Sequence, residues 1–163
     1  MRNCKIQCIK YKSGHLDIHG HVNSLDGRPD QITGEFDCSN NDLTDLVGGP
    51  TNISGSYNCS ENRLVTLLGS PEYTSADFDC AKNNLSSLVG IHKIIKSCRV
   101  IMCSEAKITE GGIGLLLIAN MEHITSKHEP FKIINSYLGK GTKGMMECSK
   151  ELISRGFPEY AKL

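Results

Sequence analysis

Apolar residues recur along this chain with a period too long for a single helix and too regular for loops. From Phe36 to Pro50 it reads FDCSNNDLTDLVGGP, from Tyr57 to Pro71 YNCSENRLVTLLGSP, and from Phe78 to Ile91 FDCAKNNLSSLVGI. The three starts stand 21 residues apart both times. Each unit runs aromatic, x, Cys, Ser or Ala, x, Asn, x, Leu, x, x, Leu, apolar, Gly. At its start Phe36 and Cys38 alternate with Glu35 and Asp37, the period-two pattern of a strand with one buried face. Self-similarity at such a period is the signature of a solenoid, in which each unit buries its apolar face only against its neighbours.

Weaker copies flank the three. LDIHGHVNSLDGRP (Leu16–Pro29) places Ile18 at the cysteine position, 20 residues before Cys38. IMCSEAKI (Ile101–Ile108) places Cys103 there, 23 residues after Cys80, with Ala106 where the asparagine stood. Degenerate outer units are what solenoid ends require, because they close the core instead of continuing it. The pattern predicts strands stacked in parallel about 4.8 Å apart, each followed by a turn (Ser39–Asp42 in the first full unit). Asn41, Asn62 and Asn83 then stand where the chain leaves the strand, and stacked amides can bond the backbone of their own turn and of the next coil. Leu43 with Leu46, Leu64 with Leu67, and Leu85 with Leu88 fill the interior. Gly48, Gly69 and Gly90 permit the reversal that follows, and Pro50 and Pro71 stiffen it.

The period stops after residue 112, and helical spacing replaces it. Phe131, Ile134 and Leu138 stand at i, i+3, i+7, an amphipathic helix ended by Gly139; Met145, Cys148 and Leu152 repeat the spacing. Thr142 is the N-cap candidate of that second helix, Gly156 its stop, and PEYAKL adds a final turn. The apolar run Ile113–Ala119 is a last strand or a buried helix, which periodicity alone does not decide. The expected architecture is one α+β domain over 1–163. It has an N-terminal capping strand (1–14), a solenoid of about five coils (15–112), and a C-terminal strand and helical cap (113–163) that covers the open sheet edge.

The unit resembles the leucine-rich repeat, L-x-x-L-x-L-x-x-N/C-x-L, with Phe36, Cys38, Asn41 and Leu43 in its last four signature places. It is similar to the short bacterial form of that repeat. It is more similar still to small bacteriophage proteins built from FDCSxNxLTSLxGxP units, whose helical tails read like Ile134–Leu163 here. The resemblance implies a short leucine-rich-repeat-like solenoid and a phage origin. For function the expectation is a non-enzymatic protein that binds and blocks, or redirects, a host protein such as a polymerase subunit, a protease or a defence factor, a reading that rests on the fold, on the charge ladders and on the lack of catalytic motifs described below.

Charge sharpens the picture. The formal net charge is zero, yet Gly34–Gly90 carries eight acids against two bases, whereas Lys127–Leu163 carries seven bases against four acids. The first twelve residues hold Arg2, Lys5, Lys10 and Lys12 and no acid. An acidic middle disfavours nucleic acid, whose phosphates it repels, and the absence of tryptophan removes the strongest stacking platform. The opening MRNCKIQCIKYK has charges where a leader needs an apolar run, and Ile113–Ala119 is too short to span a membrane. The expected location is the host cytosol, where thiols stay reduced and the sequons at Asn52, Asn58 and Asn84 are not glycosylated.

Four sets of residues invite chemistry. Cys38, Cys59, Cys80 and Cys103 share one repeat position. One thiol per coil cannot converge on a tetrahedral metal, so they are expected to form an inward structural column. Cys148, the thiol least constrained by packing, sits in Cys148-Ser149-Lys150. That departs from the Cys-x-Asp of bacterial leucine-rich-repeat ubiquitin ligases, and the tail is too short for their domain. His15, Asp17, His19 and His21 alternate onto one strand face, but four residues along a strand spread over roughly 20 Å. Only His19 and His21 are close enough to pair, and the repeat places a turn there. No P-loop, dinucleotide fingerprint, nucleophile elbow or HExxH is present. The last set lies outside the column: Asp17, Asp37, Asn58, Asp79 and Met102 precede it, and His15, Glu35, Ser56, Asp77 and Val100 stand two positions earlier. Stacked, they form two acidic ladders on an exposed sheet face. A face charged for solubility has the same composition. Like charges in adjacent strands cost stability, however, which favours a binding role for Asp17, Glu35, Asp37, Asn58, Asp77 and Asp79. The partner is then a host protein with a basic surface; a second copy of the chain, in a virion or assembly role, is the alternative. No cofactor or metal is called for, and a metal-dependent enzyme using His19 and His21 is the weakest reading.

Overall fold

The computed structural model describes residues 8–12, 14–104 and 107–163, the first five by their backbone alone. In chain order the strands are β1 (Cys8–Lys12), β2 (His15–His19), β3 (Gln31–Ile32), β4 (Phe36–Asp37), β5 (Asn52–Ile53), β6 (Tyr57–Asn58), β7 (Tyr73–Thr74), β8 (Asp77–Asp79), β9 (Ser87–Leu88), β10 (Val100–Met102), β11 (Glu110–Gly111) and β12 (His123–Thr125). Every coil contributes one strand to a seven-stranded sheet of order β1-β2-β4-β6-β8-β10-β12. Its pairs are parallel except β1 with β2, which run antiparallel. The same coils return through β3-β5-β7 on a second side, and β9 pairs with β11 on a third. The result is a parallel β-solenoid of about five turns.

Register keeps like on like. Leu16, Phe36, Tyr57, Phe78, Ile101 and Ile124 stack through successive strand pairs, and all six are buried. Ring centroids of Phe36 and Tyr57 lie 4.8 Å apart, and those of Tyr57 and Phe78 5.6 Å, within the range of favourable tilted stacking. The leucines of each unit join the same core, which runs without a break to Leu152. The Tyr57 hydroxyl alone in this column is buried without a hydrogen-bond partner of ordinary geometry among the described residues.

The corner after each strand is held from inside. Asn62 donates its amide to the carbonyls of Cys38 (2.9 Å), Cys59 (3.1 Å) and Ser60 (3.2 Å), and its oxygen accepts from the Leu43 N–H at 3.0 Å. Asn41 makes the same set with Ile18, Cys38, Ser39 and Val22. Asn83 makes it with Cys59, Cys80, Ala81 and Leu64. Each side chain is buried and ties its own coil to the one before. Close approach dictates the glycine that follows: Gly69 has φ +83°, and a Cβ there would lie 2.3 Å from the Leu46 carbonyl carbon. On the surface, Arg63–Asp42 (2.8 Å), Lys82–Glu61 (2.8 Å) and Arg99–Asp77 (3.2 Å) also link successive coils, each worth at most about 1 kcal/mol at such exposure.

Several expectations change. The strand that ends the parallel sheet beyond residue 112 is β12 and not the apolar run Ile113–Ala119; the sequence concealed it because His123-Ile124-Thr125 has neither the aromatic nor the cysteine of the unit. The run Ile113–Ala119 forms a 3-10 helix over Ile113–Leu117. A four-residue helix, α1 (Ile91–Ile94), replaces one turn of the third full unit. Helix α2 (Glu129–Asn135) is shorter than the apolar spacing suggested, so Leu138 packs from the turn beyond it. Asn135 instead turns its side chain to β12, accepting from the Ile124 N–H (2.8 Å) and donating to the Ile124 carbonyl (2.7 Å). Helix α3 (Gly141–Ser154) starts one residue before Thr142, which therefore does not cap it. Gly156, at φ +84°, does stop it, with the Phe157 N–H donating to the Leu152 carbonyl at 2.8 Å. A last 3-10 turn, Pro158–Ala161, brings the Tyr160 hydroxyl to the Ile108 carbonyl at 2.6 Å. The capping strand anticipated over 1–14 is described only as β1 and Gly14; the rest of it, with Glu105 and Ala106, lies outside the described residues. Among those described, no helix is long and apolar enough to cross a membrane.

The ladder makes a quantitative prediction. Asn62→Ala leaves the buried Leu43 N–H without its acceptor and takes one of two donors from each of three carbonyls, since Cys38, Cys59 and Ser60 still accept from Asn41, Asn83 and Asn40. At ~1–3 kcal/mol for an unmet buried group, the loss is about 1–3 kcal/mol, and Asn62→Asp, which sets a carboxylate against the same carbonyls in place of a donor, loses as much. Urea unfolding measures it; a loss below about 1 kcal/mol contradicts the role assigned to the ladder.

Candidate functional site

The outward positions of the main sheet come together as a column. Asp17 stands opposite Asp37, Asp37 opposite Asn58, Asn58 opposite Asp79, and Asp79 opposite Met102. Beside it, Glu35, Ser56 and Asp77 complete a shallow concavity of about 220 Å³, closed at one end by Met102. Of the six residues given a binding role on this face, only Asp17 lies outside the concavity. Glu35 and Asp17 are exposed, and Asp37, Asn58, Asp77 and Asp79 are half-buried.

Geometry gives these side chains a second job that the sequence reading missed. Asp37 Oδ1 accepts from the Ser39 N–H (2.8 Å), Asn58 Oδ1 from the Ser60 N–H (3.1 Å), and Asp79 Oδ1 from the Ala81 N–H (2.9 Å). Each closes an Asx-turn over the corner that the ladder asparagine closes from within. The signal was available: the position before the repeat cysteine is Asp, Asn, Asp, the residue types of that turn. Asp37 Oδ2 accepts from Asn58 Nδ2 at 3.2 Å. Glu35 lies 3.6 Å from His15 Nδ1, and Asp77 3.2 Å from Arg99. Asp79 is the strained member. Burial pushes its carboxyl above the usual range, and Asp37 and Asp77 push the same way, against the Ala81 N–H and Lys82.

The histidines do not converge. His15 and His19 belong to β2, but the chain leaves the strand at Gly20, and His21 stands at φ +61° with Nδ1 3.2 Å from Asp42 Oδ2. The shared face anticipated for all four residues therefore ends at His19. Among the described residues, no group of three or more His, Cys, Asp or Glu is placed to hold a metal ion.

The cysteines lie inside. Cys38, Cys59, Cys80 and Cys103 are fully buried, as are Cys98 and Cys148, and all six are free thiols. Cys148 is thus not the loosely packed residue its sequence context suggested: it faces inward from α3. The thiols of Cys59, Cys80 and Cys103 donate to the carbonyls of Asp79 (3.1 Å), Met102 (3.3 Å) and Thr125 (3.7 Å), each in the following coil. Burial is the main force raising every one of their pKa values: Cys98 and Cys103 are pushed up to about 12, and Cys38, Cys59 and Cys80 are also raised well above an ordinary thiol. A protonated, sequestered thiol is neither nucleophile nor metal ligand. No family model matches this chain, and no curated protein or solved structure matches it either.

The thiols set a pH limit on the fold. Ionisation begins near pH 8.5 in the unfolded chain, but only near 12 for Cys98 and Cys103 in the folded one. Between those values the folded state holds protons that the unfolded state has lost. Stability is therefore full below about pH 8.5 and falls as pH rises, by ~1.4 kcal/mol per pH unit for each fully sequestered thiol. Urea midpoints measured from pH 7 to 10.5 should drop steeply above pH 9. At pH 8, iodoacetamide should leave all six described thiols unlabelled until denaturant is added. A flat profile, or labelling of any of those six thiols in the native protein, contradicts this placement.

Proposed function

We propose that the chain is a small phage protein of the leucine-rich-repeat-like kind that binds a host protein through its acidic sheet face and blocks or redirects it without catalysis. The observation that carries this reading is the concavity over Glu35, Asp37, Asp77 and Asp79. Asp37 and Asp79 stand there in one column on either side of Asn58, with Glu35 and Asp77 beside them, and Asp79 is already pushed toward protonation by burial and by its acidic neighbours. A basic side chain entering from a partner relieves that repulsion, so the complement is a surface rich in lysine or arginine. The partner classes in view are a polymerase subunit, a protease or a defence factor, met in the host cytosol. The C-terminal helices act as the cap: Asn135 occupies the backbone groups of Ile124 on the edge strand β12, and Phe131 and Ile134 extend the core over it. A virion or assembly role is the competing reading, distinguished by a stoichiometric place in purified particles.

The test exploits Asn58, which shows that an amide closes the same Asx-turn without a charge. The double variant Asp37→Asn/Asp79→Asn keeps both turn acceptors and removes two carboxylates. Its stability should equal or exceed that of the parent at pH 7. Because the Asp79 carboxyl is shifted upward, the unfavourable contribution exists only where it is ionised, so the advantage disappears as pH falls below about 3.9. Affinity purification from host lysate, with mass spectrometry, should identify a basic partner that the parent retains and the variant loses. Equal retention by a folded variant removes the face assignment.

A further inference from the structure

We infer that the cleft between α3 and the end of the chain binds a medium-chain carboxylate, held by Lys150 at its rim. The cleft has a volume of about 310 Å³ and is walled by Ile113, Met145, Met146, Ala161 and Leu163, with Ser149 and Lys150 as the only polar side chains lining it among the described residues. Such a volume lies at the lower end of small-molecule sites, about 300–1,000 Å³, which suits one acyl chain and not a docked helix. Met146 is 58% exposed and Leu163 49%, so apolar surface here stays in water. The two adjacent methionines supply walls that reshape around an irregular apolar guest.

The charge pattern selects the head group. Lys132 pairs with Glu129 at 2.9 Å, Arg155 with Glu151 at 2.7 Å and Lys162 with Glu110 at 3.2 Å, Lys140 lies over the Tyr137 ring, and the exposed Lys143 does not line the cleft. Lys150 is exposed and pairs with no carboxylate among the described residues. One ammonium at the rim of an apolar cleft complements a monoanion. Neither an arginine fork nor a second cation lines it, as a phosphate would want. The site involves none of the acidic-face residues and stands or falls apart from the function proposed for them.

The probe is decanoate, below its micelle concentration, added to full-length protein carrying 13C-methyl methionine. The methyl resonances of Met145 and Met146 should shift saturably while those of Met102 and Met121 stay in place. Octanoate should bind about tenfold more weakly, following the two methylenes lost. Decanol should bind at least fivefold more weakly than decanoate, and Lys150→Glu should weaken decanoate by a similar factor. Lys150 is a surface residue, and unmoved Met102 and Met121 signals in the variant report that it folds. The proposal is overturned if no saturable shift occurs up to millimolar decanoate, if all four methyls move together, or if Lys150→Glu and the parent bind decanoate equally.

Discussion

Everything in this molecule depends on what happens to backbone polar groups at one corner. A parallel coil that turns inward after its strand buries carbonyls and amides where water does not follow, and an unpaired one costs about as much as a lost hydrogen bond. Asn41, Asn62 and Asn83 meet that demand because a carboxamide on a short stem supplies two donors and one acceptor together. Aspartate lacks the donors, and leucine lacks both. The bonds run to two coils at once, so each asparagine also fixes the spacing and register of its neighbours. The corner is itself unfavourable: Asn40, Glu61 and Lys82 hold φ near +54°, a conformation costing roughly 1–2 kcal/mol for a side-chain-bearing residue. The ladder holds them there.

The same corner shapes the surface. Asp37, Asn58 and Asp79 close it from outside, and because Asx-turns favour Asp and Asn, stacking the turns stacks carboxylates. The acidity of the sheet face is therefore partly a product of folding. What turn formation does not explain is Glu35 and Asp77, which stand two residues earlier, and the decision to keep Asp instead of Asn at 37 and 79 when Asn58 serves the turn equally well. Those choices add repulsion, and it is on that excess of charge that the proposal of a basic partner rests.

Much of this was legible in the sequence because a repeat states each constraint three times. The 21-residue period located the strands, the inward Leu positions and the left-handed glycines without any side-chain geometry. The parts that escaped are those present only once. β12 carries no repeat signature and is recognised only by pairing with β10. Ile113–Leu117 is apolar throughout, so no periodicity betrays its helix. Asn135 reads as an ordinary helix residue until the open edge of β12 stands beside it. The acidic ladder was visible as charge, but its turn-closing half was missed, although Asp37, Asn58 and Asp79 are the residue types of an Asx-turn.

If the asparagine ladder makes the coils one cooperative unit, the amides it holds must open only when the whole solenoid opens. Native-state hydrogen exchange reads this directly at Val22, Leu43 and Leu64, whose N–H groups donate to Asn41, Asn62 and Asn83. The account predicts that all three exchange with a single free energy equal to that of global unfolding, falling together as urea is added. Exchange of any of them through a smaller local opening, with its neighbours still protected, would contradict it.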